Sequence, residues 1–349
     1  MELKREHFGR TPAGKEIDLF TLTNSRGLSL KVMNLGCTIV SLRMPDRRGR
    51  TEEITLGYDT LQEYLEGRFY FGALIGRFAN RIAAGRFTLD GRTCTLACNE
   101  GGRHHLHGGE QGFDRRLWQA EEERLPGPPK EAAVVFSYVS PDGEEGYPGD
   151  LRVTARYSLS EDNELSFAYR AESSRPTPVN LTNHSYYNLA GTGSGDVLGH
   201  TLQLNCPAYL PVNDTLIPTG EVREVTGTPM DFTAAKPIGR DMHAVPGGYD
   251  HCFVLAPAEE KPTFAARLHE EQSGRGMEVY TTKPAIQLYT GNFLDNVRGS
   301  GGRVFARHGG VCLETEFFPD APNRPEFPSA VLNPGEVYAH RTVQRFFWD

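Results

Sequence analysis

Apolar residues along this chain recur mostly at every second position, the period of a half-buried strand. Leu28, Leu30 and Val32 alternate with Ser29 and Lys31 after a turn at Asn24-Ser25-Arg26-Gly27, and a second run covers Cys37 to Leu42. Phe87-Thr88-Leu89 and Thr93-Cys94-Thr95 flank Asp90-Gly91, a strong hairpin signal. Leu151, Val153, Ala155, Tyr157 and Leu159 alternate without a break. Leu165, Phe167, Tyr169 and Ala171 repeat the pattern after a short polar link, which predicts an antiparallel hairpin. Shorter runs follow at Leu202–Leu204, Cys252–Leu255, Met277–Thr282, Ile286–Thr290, Val311–Phe317 and Val337–Phe346. A single short helix is predicted at Thr60–Leu65. Many short strands, divided by turn chemistry and with almost no helix, predict an all-β sandwich or barrel.

Composition sharpens this picture. The 349 residues include 38 Gly and 23 Pro, which favours turns over long helices. No composition break or repeat divides the chain, and the Pro/Gly/charge-rich segment from Glu121 to Glu131 reads as a hairpin tip. We therefore expect one domain over residues 1–349, a large antiparallel β-sandwich whose concave face or rim carries a site. The net charge of −8 argues against a nucleic-acid partner, which would require a basic patch. No apolar run is long enough to span a membrane. The charged start, Met1 to Glu6, lacks the apolar core of a signal peptide. Six scattered cysteines without a Cys-x-x-Cys suggest a reduced, cytoplasmic protein.

Several stretches carry potential chemistry. Asn180 to Gly191 packs amides, hydroxyls, tyrosines and His184 into one strand-to-loop segment, as a sugar ligand would demand. His184 is its one group that titrates near neutrality. Arg77, Asn80 and Arg81 lie in a Gly-punctuated stretch, where a guanidinium fork suits hydroxyls or carboxylates. In His104-His105-Leu106-His107-Gly108-Gly109, extended chain would turn His105 and His107 to one face. With Glu110 they form the alternative of a metal site, although Glu110 follows too closely for the usual His-x-His pattern. The glycines suggest close approach of backbone to a partner, such as a ligand. Gly247 to His251 is a turn that delivers Asp250, and Gln287 and Tyr289 share one face of their strand. Glu314 and Glu316 also share a face. If that face looks inward, like charges raise at least one pKa; if outward, both are ordinary solvated glutamates.

Taken together, six stretches in order resemble the aldose 1-epimerase (galactose mutarotase) family. They are Gly76-Arg77 with Asn80-Arg81-Ile82, Leu106-His107-Gly108-Gly109, Asn183-His184-Ser185-Tyr186, Tyr249-Asp250-His251, Gln287 to Asn292, and Leu313-Glu314-Thr315 with Pro319-Asp320. The resemblance covers nearly the whole chain. It implies a galactose mutarotase-like supersandwich with an open sugar cleft and no cofactor or metal. It also implies Glu314 as general base, His184 as general acid, His107 as a second active-site histidine, and Asn80, Arg81, Asp250 and Gln287 as groups that hold sugar hydroxyls. The family commonly has an amide where this chain has Glu316, and often an Asn just upstream of Leu-His-Gly-Gly, where this chain has Arg103-His104-His105.

The implied activity interconverts the α and β anomers of hexoses such as galactose and glucose, with an aldose as sole small-molecule partner and a monomer or homodimer as the working form. Ordinary pKa values of about 4.3 for Glu and 6.5 for His would leave Glu314 ionised and His184 within reach of protonation. The alternatives are a non-catalytic sugar-binding protein and a hexose-6-phosphate 1-epimerase, the latter wanting basic residues such as Arg77, Arg103 or Arg115 near the cleft.

Overall fold

A computed structural model describes residues 1–123, 130–255 and 261–349 of the chain. It is a large antiparallel β-sandwich built on three main sheets. Strands Glu2–Arg10, Glu16–Thr23, Ser29–Met33, Thr38–Pro45 and Thr51–Glu53 form a meander in chain order. A nine-stranded sheet runs Gln119–Glu123, Glu131–Ser140, Leu151–Ser160, Glu164–Ser173, Tyr338–Trp348, Arg275–Thr281, Thr263–His269, Thr201–Leu204 and Lys236–Pro237. The third sheet, five-stranded, runs Arg223–Glu224, Ala208–Tyr209, Asp250–Val254, Ala285–Tyr289 and Cys312–Glu316. One apolar cluster joins all three. It contains Phe20 and Val32 from the meander, Val153, Tyr157 and Phe167 from the long sheet, and Phe253, Ile286, Leu288 and Leu313 from the third.

The predicted hairpins form with the expected partners. Leu159 pairs with Leu165 and Leu151 with Ser173, and Phe87 pairs with Cys94. The helix begins one residue later than expected, at Leu61, and ends at Glu66. Thr60 is its N-cap in extended conformation, its hydroxyl accepting from the Glu63 N–H while the Glu63 carboxylate accepts the Thr60 N–H in return. Strands Gln119–Glu123 and Glu131–Ser140 pair directly, and the hairpin tip expected between them falls on residues 124–129, outside those described.

Three of the longer strands that alternation does not announce show why. Glu2–Arg10 lies on the edge of its sheet and is largely exposed, so neither face needs apolar residues. Glu131–Ser140 begins with an unbroken apolar run, Ala132 to Phe136. Thr263–His269 holds a register irregularity between Phe264 and Ala266 that breaks its period. Among the described residues, no helix is long and apolar enough to cross a membrane.

Candidate active site

The register of the third sheet explains how the site is assembled. Gln287 pairs with both Cys252 and Glu314, and Tyr289 pairs with both Asp250 and Cys312. Strand pleating then sends Phe253, Ile286, Leu288 and Leu313 into the core and Asp250, Gln287, Tyr289 and Glu314 to the opposite face. That face floors a cleft of about 330 Å³. Glu316 shares the face of Glu314 but does not line the cleft: it is fully buried and accepts a 3.1 Å hydrogen bond from Asn80 Nδ2.

The remaining walls come from loops tied to short strand pairs. Arg81 pairs with Leu106, and Asn183 with Leu74, which fixes the segments of Asn80, His107 and His184 around one opening. Asn80 and His107 both adopt left-handed backbone, with φ of 64° and 52°. Asn tolerates this conformation; for a histidine it is uncommon and marks a position held by its surroundings. The Asn80 N–H donates to His107 Nδ1 at 3.1 Å, so a neutral His107 carries its proton on Nε2. Asn80 Oδ1 accepts the Arg81 N–H, so the amide organises its neighbours.

Arg81 is 6 % exposed and grips Glu100 through Nε and Nη2, the latter at 2.7 Å. Its Nη1 stands 3.9 Å from Asp250, which in turn accepts from Gln287 Nε2 at 2.6 Å. Gln287 Oε1 and Glu314 Oε2 have no hydrogen-bond partner among the described residues. Two buried acceptors left open on the floor of a polar cleft call for donor hydroxyls.

His184 Nε2 lies 3.7 Å from Glu314 Oε1, and its Nδ1 lies 3.6 Å from Cys312 Sγ. Its ring stacks on Tyr186 at 5.1 Å and on Tyr70 at 5.8 Å, while His107 meets it edge-on at 5.0 Å. Burial pushes His184 down to about 4. Burial, then the charges of Glu316 and Asp250, hold Glu314 well above the carboxylate range, with Arg81 acting against them. His107 is depressed by burial and by the neighbouring cationic groups. The imidazolium expected near neutrality is therefore not the form that the burial of His184 favours.

Other expectations need correction. His105 does not share a face with His107, because the left-handed turn at His107 breaks the extended register. Its Nδ1 meets the Ala97 carbonyl at 2.8 Å and its Nε2 the Tyr147 hydroxyl at 2.7 Å, so it is a structural histidine. Glu110 is exposed, and the His105–His107–Glu110 metal set is not assembled. The grouping of ligating side chains among the described residues is instead His107, His184 and Glu314, with donor atoms within 4.8 Å of one another. The close approach at Gly108 is to the chain's own backbone, since a Cβ there would fall 1.8 Å from the Gly76 carbonyl oxygen. Arg77 is buried on the carbonyls of Ser140 and Gly149, and the half-buried Arg115 donates to those of Tyr64 and Leu65. Neither lines the cleft; Arg68 does.

The sequence reading missed Arg68, Phe69, Tyr70, Glu100 and Phe293 on the cleft wall. The aromatic run Phe69-Tyr70-Phe71 between Gly67 and Gly72 was a usable signal for two of these positions, Phe69 and Tyr70. Glu100 carried none, because its role depends on Arg81 reaching it across the fold.

The chain is similar over nearly its whole length to known proteins. The family model for aldose 1-epimerase matches residues 18–345. Galactose mutarotase from Bos taurus is 46 % identical over 349 residues, covering 99 % of each chain. Aldose 1-epimerase from Escherichia coli (strain K12) is 40 % identical over 342 residues, covering 96 % of each. The crystal structure of an aldose epimerase homologue from C. elegans superposes with a TM-score of 0.85 at 30 % identity, covering 95 % of this chain and 98 % of that one.

Proposed function

The chain belongs to the aldose 1-epimerase family, and from that premise we propose that Glu314 and His184 are its proton-transfer pair. The protein is an isomerase that interconverts α and β anomers of hexoses such as galactose and glucose. The observation that carries the assignment is the 3.7 Å gap between His184 Nε2 and Glu314 Oε1, at the foot of a cleft lined with hydroxyl partners.

Both oxygens that exchange protons in this reaction are bonded to the anomeric carbon, so the two groups serving them must stand close together. Glu314 takes the proton from the C1 hydroxyl as His184 gives one to the ring oxygen, and the C1–O5 bond breaks. The C1–C2 bond then rotates, the ring closes on the other face of the aldehyde, and both protons return. Arg81, Asp250 and Gln287 hold the remaining hydroxyls, with Asn80 fixing Arg81 and His107.

The pair works with one proton, placed on His184. Burial favours the same proton on Glu314, and the two arrangements carry equal net charge, so the shift asks for no exchange with solvent. Activity then follows a bell in pH whose limbs are macroscopic properties of the pair. We also propose that residues 1–349 act as one domain, since the C-terminal strand Tyr338–Trp348 lies between mid-chain strands of the long sheet. A cytoplasmic location is supported by six free cysteines, four of them buried. A monomer or homodimer is the expected working form, read by gel filtration.

The test is polarimetry of freshly dissolved α-D-galactose, α-D-glucose and glucose 6-phosphate, with and without protein, and with a chelator arm. We expect faster decay to an unchanged final rotation for the free sugars, insensitive to chelator. Acceleration of the phosphosugar alone would replace this reading with a phosphate-specific one using Arg68, and loss of activity with chelator would replace proton transfer by metal chemistry.

A further inference from the structure

We propose that Cys312 is a positioning residue for His184: its sulfur accepts the Nδ1 proton and leaves Nε2 as the site that exchanges a proton with Glu314. This rests on the reading of Glu314 and His184 as the proton-transfer pair.

Cys312 and Glu314 stand two residues apart on one face of the strand Cys312–Glu316, about 7 Å along the chain. The imidazole of His184 lies against that face, with Nδ1 3.6 Å from Cys312 Sγ and Nε2 3.7 Å from Glu314 Oε1. One strand therefore addresses both ring nitrogens. Tyr70 and Tyr186 stack on the ring, and His107 and Tyr289 meet it edge-on. This packing holds the plane of the ring, so that each nitrogen keeps its partner. Cys312 is fully buried. Burial, and after it the charges of Glu314 and Asp250, push its thiol up, so it stays an uncharged S–H.

A thiol is both a weak donor and a weak acceptor, and the direction of its contact fixes the histidine tautomer. If the S–H donated to Nδ1, neutral His184 would carry its proton on Nε2, opposite a protonated Glu314. Neither group could then take the other's proton. If Nδ1–H donates to Sγ, Nε2 turns its lone pair toward Glu314, and one proton moves between the two groups without a change of tautomer. The carbonyl of His184 itself acts on the ring in the same sense, as an acceptor. An uncharged acceptor also suits an acid. The aspartate of a Ser-His-Asp triad orients its histidine but stabilises the imidazolium as well. The sulfur of Cys312 orients the ring and adds no charge, so the Nε2 proton is readily released to the sugar ring oxygen while the Nδ1 proton stays in place.

The tautomer is read in long-range proton–nitrogen correlation spectra of the full chain carrying isotope-labelled histidine, with the His184 signals assigned by their loss in His184→Asn. At about pH 8, where histidine is neutral, wild-type His184 should show a protonated Nδ1 and an unprotonated Nε2. Cys312→Val fills the space without an acceptor. In it the Nε2-protonated form should appear, and kcat should fall about tenfold with KM changed less than about threefold. Cys312→Ser restores an acceptor and should recover the tautomer and most of kcat. A wild-type His184 protonated on Nε2 overturns the proposal. So does a Val variant that keeps the wild-type tautomer or the wild-type kcat, whatever its Tm, and so does a Ser variant no better than the Val one. If Cys312→Val fails to fold, Cys312→Ala takes its place, and the wild-type spectrum decides the direction of the contact without any variant. Failure of the underlying reading looks different: Glu314→Gln would remain active, while the spectra would still report on the contact between Cys312 and His184.

Discussion

In the strand Leu151–Ser160, Leu151, Val153 and Ala155 are buried while Arg152 and Thr154 are exposed. In Ala285–Tyr289 and Cys312–Glu316 all ten residues are buried, Gln287, Glu314 and Glu316 among them. Both regions alternate with the same period, and both send one phase into the same apolar core. They differ in what covers the other phase. Water covers it in the long sheet; in the third sheet, the segments around Tyr70, Asn80, His107 and His184 cover it and leave only a cleft. A carboxylate in the polar phase of the first region stays an ordinary surface charge. The same residue in the second is desolvated, which raises its pKa and fits it for taking and giving protons.

The contrast is broken most sharply at the floor of the cleft. Glu314→Gln should lower kcat by roughly 10²–10⁴-fold with the fold intact by circular dichroism, and His184→Asn should lower kcat far more than it changes KM. A Glu314→Gln enzyme retaining a tenth of wild-type kcat would remove that residue from the base role. One step out, Glu100→Gln frees Arg81 from its fork. We expect KM for galactose to rise about tenfold, the worth of a charge-assisted hydrogen bond, with kcat changed less than about threefold. A fall in kcat alone would instead make Arg81 part of the chemistry. Smaller still is His105→Phe, which strips two hydrogen bonds from a buried structural residue. It should cost about 1–3 kcal/mol in denaturant unfolding and leave kcat/KM within about threefold. Arg152→Ala, on the solvent phase of the long sheet, should stay within about 0.5 kcal/mol and serves as the reference.

How much of this was legible in the sequence depended on whether a residue's role was local. The hairpins around Asp90-Gly91 and residues 160–164 were readable because turn chemistry and alternation act over a few positions. Glu314, His184, Asp250 and Gln287 were named from a family resemblance, and the structure brings the four together in one cleft. The edge strand Glu2–Arg10 was silent because an exposed strand needs no apolar phase. His105 was misread because the left-handed turn at His107 leaves no mark in an alternation count.

The sequence by itself determined the strand periods, the predominance of turns over helix and the residue types that chemistry on a sugar requires, since these depend on backbone sterics and neighbouring side chains. Only the tertiary structure decided which of the paired glutamates meets the cleft and which histidine is structural. Those outcomes depend on desolvation and on charges brought together from distant positions, and neither is a property of any local stretch of chain.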